Sequence, residues 1–260
     1  MLVYPQLSSG ALAQFPILKR RRQRTVVNTL ADFTSIKLAD PPGEITAWEL
    51  KYVGLSNSEA LALQQFFTAT EGSLTVFTFL DPTANLLSWT EQLTNAVWAL
   101  DPFLSIVAGV ADPAGGTSGW QISNSGAAPQ TISQTLSAPG AYVYCLSVYG
   151  KSSQPAQVTL LCGTASVVCT LDTSWNRLVL TGSGDPTAQS VVFGIQVPPG
   201  ATVDIFGLQV EPQAAASVYK PSETGGVYEN ASFRDDVFLL TSTDVNRNSA
   251  TVNIIHANSL

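Results

Sequence analysis

The alternation of apolar and polar residues along the chain is mostly of period two. From Ile45 to Val53 the side chains Trp48, Leu50 and Tyr52 fall on one face and Glu49 and Lys51 on the other, the pattern of a half-buried strand. Thr25 to Leu38 reads as two short strands around a polar turn. The period changes once. Ser56 and Glu59 stand at the spacing of a capping box, in which each side chain satisfies a backbone N–H of the other residue. Apolar residues then recur at helical spacing over Ala60–Phe67, and Gly72 is placed to end the helix. Leu74–Leu80 returns to strand and closes on Asp81-Pro82.

Past Pro82 no helix of useful length is predicted. Strands are expected near 103–110, 118–123, 130–136, 141–149, 156–162, 166–171, 175–181, 190–197 and 202–210, separated by Gly, Pro and Ser. That rhythm is that of a β-sandwich or jelly roll. After Pro221-Ser-Glu-Thr-Gly-Gly226 three more strands are expected, near 227–233, 237–241 and 250–256, with a turn at Asn246-Arg-Asn248. About forty residues are too few to bury a core alone, so this tail is expected to complete the sheet begun by the N-terminal segment. The expected organisation is therefore mainly β: a discontinuous β-sandwich or barrel-like assembly domain with one helix (1–82 and 222–260), carrying an inserted β-sandwich jelly roll (83–221).

Composition sharpens this picture. With 260 residues there is room for two domains, and 12% charged against 45% hydrophobic residues, with 19 Gly and 15 Pro, suits ordered β structure with many turns. No apolar run reaches the roughly 18 residues of a membrane span. The start Met-Leu-Val-Tyr-Pro-Gln lacks the charged and apolar regions of a signal peptide, and the chain is expected to stay in the compartment where it is made. Net charge is -7. The insert holds seven acidic side chains against three basic ones, the flanks twelve against nine, and neither balance is that of a nucleic-acid binder.

Cys145, Cys162 and Cys169 all fall in the insert, an odd number that fits buried thiols better than a disulfide framework. A turn around Gly163–Ser166 is expected to set Cys162 opposite Val167. Lys19-Arg-Arg-Arg-Gln-Arg24 contains five of the twelve positive charges. Lys19, Arg20, Arg21, Arg22 and Arg24 suit contact with an acidic neighbouring subunit, a solvated loop, or phosphate. No aromatic residue interrupts the run to stack on a base, so a partner ring is the preferred reading.

The aromatic residues of the insert suit either a sandwich core or a sugar site, where a ring lies against the apolar face of a pyranose. Trp120 and Trp175 follow Gly or Ser turns and are the favoured exposed candidates, with Tyr142 and Tyr144 on one strand face beside them. Asp101, Asp112 and Asp185 each precede Pro and read as turn formers. Asp112 or Asp204 would ligate a structural calcium if one were present, yet no loop clusters acidic residues; no other cofactor or metal is expected. Catalysis is not expected. The sole histidine, His256, lies on an alternating strand near the C-terminus, Asp235 and Asp236 would point to opposite faces of a strand, and no phosphate loop or zinc spacing occurs.

Two resemblances follow. Trp48-x-Leu50-x-Tyr52, Leu55-Ser56, Phe66-Phe67, Glu71-Gly72, Phe77-x-Phe79 and Asp81-Pro82, with Ala231-Ser-Phe-Arg-Asp-Asp-Val237, Asn246-Arg247 and Thr251–Ile255, resemble the body of tailed-phage tail-tip proteins of the distal-tail kind. In the insert, Asn85-Leu-Leu, Trp89, Trp98, Phe206-Gly-Leu-Gln-Val-Glu211 and Tyr219-x-Pro221 resemble the carbohydrate-binding-module-like jelly rolls of phage tail and fibre proteins. Glu211-Pro212-Gln213 departs from their more usual Glu-x-Gly. The resemblances imply a virion tail component, assembled in the host cytoplasm, that forms a sixfold ring with itself, meets tail-tube and hub or baseplate proteins, and binds host-surface saccharide. A free-standing lectin-like protein or glycan-processing accessory is the alternative. No membrane and no sequence-specific nucleic acid are expected as partners.

Overall fold

The computed structural model describes residues 2–257 and contains two compact units. One comprises Met1–Leu7, Ala13–Phe79 and Tyr228–Leu260, the other Ser8–Leu12 and Leu80–Val227. No helix among the described residues is long and apolar enough to cross a membrane.

In the first unit, β1 (Ile17–Thr29) pairs with β2 (Ser35–Leu55), which pairs in turn with β16 (Arg247–Ala257). β14 (Val227–Phe233) and β3 (Phe77–Leu80) complete the order β1-β2-β16-β14-β3, and β15 (Leu240–Asp244) forms a hairpin with β16. The alternation in β2 does what its pattern requires: Trp48, Leu50 and Tyr52 are buried. The Trp48 ring meets Phe79 and Tyr228 edge-on at 4.9 and 4.8 Å, and Tyr4, Phe66, Phe77 and Phe233 form a second aromatic cluster beside the helix. Such edge-to-face pairs add to the area they bury because the positive ring edge meets a negative face. The helix α1 (Asn57–Ala69) carries the full capping box, Ser56 N–H donating to Glu59 Oε2 at 2.9 Å and Glu59 N–H to Ser56 Oγ at 3.3 Å. Only Ala60 and Leu63 of this helix are buried, so it covers the sheet with a narrow stripe.

Two expectations change in this unit. The basic run lies on an exposed strand, not in a loop: β1 is 13 residues long, because β2 supplies partners for Ile17–Arg22 and, past a register shift, for Arg24–Thr29. Asp235 and Asp236 lie in the bend after β14 and not on a strand, where Asp235 pairs with Arg234 and Asp236 accepts from Ser73 N–H and Oγ.

The second unit is an antiparallel β-sandwich. One sheet runs β10 (Ala165–Leu171), β9 (Ala156–Cys162), β12 (Val191–Val197), β7 (Gln130–Leu136), β4 (Ala99–Leu100). The other runs β11 (Asn176–Gly182), β8 (Tyr144–Lys151), β13 (Thr202–Glu211), β6 (Gly119–Asn124), β5 (Leu104–Val110). Ile122, Ile132, Leu146, Val148, Leu160, Phe193, Ile195, Val203, Ile205 and Val210 are buried between them. Cys162 pairs with Ala165, not Val167, because the β9–β10 turn has only two residues, Gly163 at positive φ and Thr164. All three cysteines are free thiols; burial pushes Cys162 up to about 12, so it stays protonated at neutral pH.

The exit of β13 fixes what lies around it. Between Phe206 and Gln209 the register with β8 shifts at Gly207, whose φ is 69° and whose missing Cβ would meet the Tyr219 ring at 3.1 Å. The bulge turns Gln209 and Glu211 toward residues 213–220. The fully buried Glu211 carboxylate accepts from Gln209 Nε2, Ser217 N–H and Oγ, Gln213 Nε2 and Lys220 Nζ, and so folds that segment back.

Candidate functional site

The segment after β3 and the segment after β13 are held together inside the second unit. Thr90 N–H donates to Ser222 O at 2.9 Å and Trp89 N–H to Glu223 O at 3.3 Å, while Ser222 N–H and Tyr219 Oη both reach Thr90 Oγ1 at 3.0 Å. The backbone at Trp89 is left-handed, with φ 50°, a conformation unfavourable for a bulky side chain. It is held by its carbonyl, which accepts from Trp98 Nε1 and Gln92 N–H, both at 3.0 Å. Strain of this kind persists where the surroundings over-determine it, and it concentrates at binding sites.

Facing this corner is the β5–β6 hairpin. The Asp112 carboxylate organises its loop by accepting the N–H groups of Ala114, Gly116 and Ser118 at 2.8 to 3.1 Å. Those donors, Ser118 foremost, hold the carboxyl below the usual carboxylate range. Its oxygens are thus engaged by backbone, and Asp204 is engaged by Gln121 Nε2 at 3.2 Å and Lys151 Nζ at 3.7 Å, so neither is a free calcium ligand. Among the described residues no group of three or more His, Cys, Asp or Glu could hold a metal.

Between corner and hairpin lies a cleft of about 530 Å³, lined by Trp89 and Trp120, by Glu91, Gln92 and Glu223, and by Ser118 and Ser222. A bulge at Gly109, with φ 88° and nothing within 4 Å of where a Cβ would lie, leaves the β5 side open. Among the described residues no basic side chain lines this cleft.

No family model and no curated protein matches the sequence. Among solved structures, the enzymatically active domain of tailspike protein 4 of bacteriophage CBA120 aligns with a TM-score of 0.40 at 16% identity, over 51% of this chain and 22% of that one. The CBM22-1 xylan-binding domain of Paenibacillus barcinonensis Xyn10C aligns at 0.41 and 15%, over 52% and 97%. The CBM22-1-CBM22-2 tandem domain of the same enzyme aligns at 0.43 and 18%, over 64% and 60%.

The structure separates the four aromatic residues that the sequence suggested for a sugar site. Trp120 lines the cleft, but it is only 8% exposed: β6 turns Trp120, Ile122 and Asn124 to the buried side, so the ring forms a wall instead of a projecting platform. Tyr144 is a correction. It is fully buried, edge-on to Phe193 at 5.2 Å with its hydroxyl on Pro139 O at 2.7 Å, and no saccharide can reach it. Trp175 is half-buried, and Lys151 Nζ lies 4.8 Å from its ring centroid, so one face of it is already occupied by a cation. Tyr142 is half-buried in the turn before β8, where its N–H donates to Pro139 O. Neither Tyr142 nor Trp175 lines the cleft.

Trp175 belongs instead to a row across the outward face of one sheet, where Lys151 and Asp204 are cross-strand partners and Gln121 faces Asp204 from β6. Tyr149, with Phe206 opposite it and the Arg177 guanidinium 5.4 Å from its centroid, continues that face. The row is self-paired, whereas the cleft offers open volume.

The basic run divides in the same way. Arg21 pairs with Glu44, Arg24 with Asp40, and Lys19 Nζ stands 5.7 Å from the Trp48 ring. Arg20 and Arg22 form no ion pair among the described residues.

Proposed function

We propose that the second unit binds saccharide in the cleft between Trp89 and Trp120, and that the first unit is the assembly body of a phage or phage-like tail-tip protein, so that the chain presents a glycan-binding module on a virion tail. The observation that carries the binding half is the cleft itself. Two indole rings give apolar surface for the C–H face of a sugar, while Glu91, Gln92, Ser118, Ser222 and Glu223 offer donors and acceptors to its hydroxyls. With two carboxylates and no basic residue in its lining, the cleft repels anionic polymers and suits neutral sugars. Glu91 and Glu223 are exposed, which suits them to hydrogen bonding with sugar hydroxyls at the rim, and binding without turnover is the reading we adopt.

Titration of the full chain with a panel of neutral hexose and N-acetylhexosamine oligosaccharides, read by calorimetry, tests this. At least one should bind, and Trp89→Ala should weaken it on the order of 10-fold or more, the loss expected when an aromatic anchor is truncated. Trp175→Ala should leave it unchanged. Binding that survives loss of Trp89 but disappears with Trp175 would move the site to the outward face of the sheet.

A further inference from the structure

We propose that the cleft between Trp89 and Trp120 takes a protonated amino sugar in preference to the uncharged sugar of the same linkage, with Glu91 and Glu223 holding its ammonium group. The inference rests on the cleft being a saccharide site and names the class of sugar it selects.

Nine carboxylate side chains lie in the second unit, and seven of them are used within it. Asp81, Asp101, Asp112, Asp172 and Asp185 accept hydrogen bonds from residues nearby, and Asp204 and Glu211 take Lys151 and Lys220 as ion-pair partners. Glu91 and Glu223 are the two left. Both are exposed, neither side chain has a partner among the described residues, and both line the same cleft. Solvated carboxylates are ordinary on a surface, but here the two that the unit leaves open meet at one concavity already walled by two indole rings.

Both acids are also tied to the backbone of Trp89. Glu91 lies in the turn that Gln92 N–H closes on Trp89 O, and Glu223 O accepts the Trp89 N–H at 3.3 Å, so each is placed next to the residue whose ring would stack on a sugar. Burial pushes the Tyr219 hydroxyl up to about 12; its bond to Thr90 opposes this and the Glu91 charge adds to it, so that charge acts on the corner of the cleft.

The unit supplies no cation for these two groups. Of its three basic residues, Lys151 and Lys220 are paired, and Arg177 lies over the Tyr149 ring and donates to Ser147 Oγ at 2.9 Å. Among the described residues no third His, Cys, Asp or Glu joins them to complete a metal site. An ammonium carried by the ligand fits what remains. It offers three donors to the carboxylates, indole faces attract a cation, and a unit with nine acidic against three basic side chains, a net -6, draws a positive ligand toward it. The two rings and the polar groups of Gln92, Ser118 and Ser222 suit the pyranose that bears the amine.

Calorimetric titration of the full chain tests this with pairs of hexosamine oligosaccharides of one linkage, fully N-acetylated and fully de-N-acetylated, in a slightly acidic, low-salt buffer that keeps the sugar amines protonated. The amine form should bind on the order of 10-fold more tightly, and the gap should close as salt is added. In a Glu91→Gln, Glu223→Gln variant, whose near-UV circular dichroism should match the wild type because both positions are exposed, the two forms should bind with equal affinity. Trp89→Ala should weaken both forms alike. Equal or weaker binding of the amine form by the wild type, or a preference that survives in the double variant, would overturn the inference while leaving the cleft a saccharide site. Absence of binding by every form would overturn both. Trilysine bound as tightly as the amino sugar, and lost in the same double variant, would overturn the assignment to sugar and give the carboxylates to a basic peptide.

Discussion

Replacing Asn85 by Ala is expected to destabilise the second unit by about 4 kcal/mol, since each buried backbone group left unpaired costs about 1–3 kcal/mol. Asn85 is 1% exposed, and every hydrogen-bonding position of its amide is used. Its Nδ2 donates to Leu208 O at 2.8 Å and Lys220 O at 3.2 Å, and its Oδ1 accepts from Val210 N–H at 3.0 Å and Leu87 N–H at 3.1 Å. One side chain thus ties the entry of the unit to β13 and to the segment that leaves it. Ala removes all four bonds at once, in a place too enclosed for water to replace them. Urea unfolding followed on the transition of this unit measures the loss, and a shift below about 1 kcal/mol, the worth of a single ordinary hydrogen bond, would contradict this account of the entry.

Glu211→Ala is expected to cost about 3–5 kcal/mol, the range for breaking a buried ion pair from one side. The carboxylate is fully buried and gathers donors from Gln209, Ser217, Gln213 and Lys220. Its removal takes the shortest acceptor from the fully buried Gln209 amide, leaving Nε2 the longer bonds to Ser217 O and Val218 O, and weakens the hold on 213–220. Because Tyr219 within that segment and Ser222 just after it both reach Thr90, the corner of the cleft should loosen as well. Glu211→Gln keeps the shape and part of the hydrogen bonding and should cost less than Ala. Limited proteolysis within 212–220, rapid in the Ala variant and slow in the wild type, distinguishes release of the segment from global weakening.

Much of the fold was legible because burial in a sheet imposes a period that residues must obey. Trp48, Leu50 and Tyr52 announced their face, Ser56 and Glu59 announced the helix start, and the turn residues of the second unit bracketed the strands from β5 to β13. The two-residue β4 carries no period to read. The run Lys19–Arg24 has no apolar positions, so its strand character comes entirely from the partner that β2 provides.

The candidate site was less legible. Alternation shows that Tyr144 and Cys145 face opposite ways but not which face meets the other sheet; Tyr144 proved to be core, and Cys145 is buried too on the opposite face. The cleft is assembled from residues 89–92, 108–109, 117–120 and 221–223, brought together by Thr90 and Ser222 across more than a hundred residues of chain. No local motif encodes that closure. The one local sign was Trp89 itself, an aromatic residue within Ser-Trp-Thr-Glu that belongs to no strand pattern.

If sugar enters between Trp89 and Trp120 as proposed, the indole N–H signals of the five tryptophans report on it directly. With each signal assigned by a single Trp→Phe variant, titration of the ¹⁵N-labelled full chain with the tightest-binding neutral oligosaccharide should move the Trp89 and Trp120 signals. Trp98 should follow through its bond to the Trp89 carbonyl, while Trp48 and Trp175 stay in place. Movement of Trp175 with Trp89 and Trp120 unchanged, or no movement at any tryptophan across the whole panel, would contradict the account.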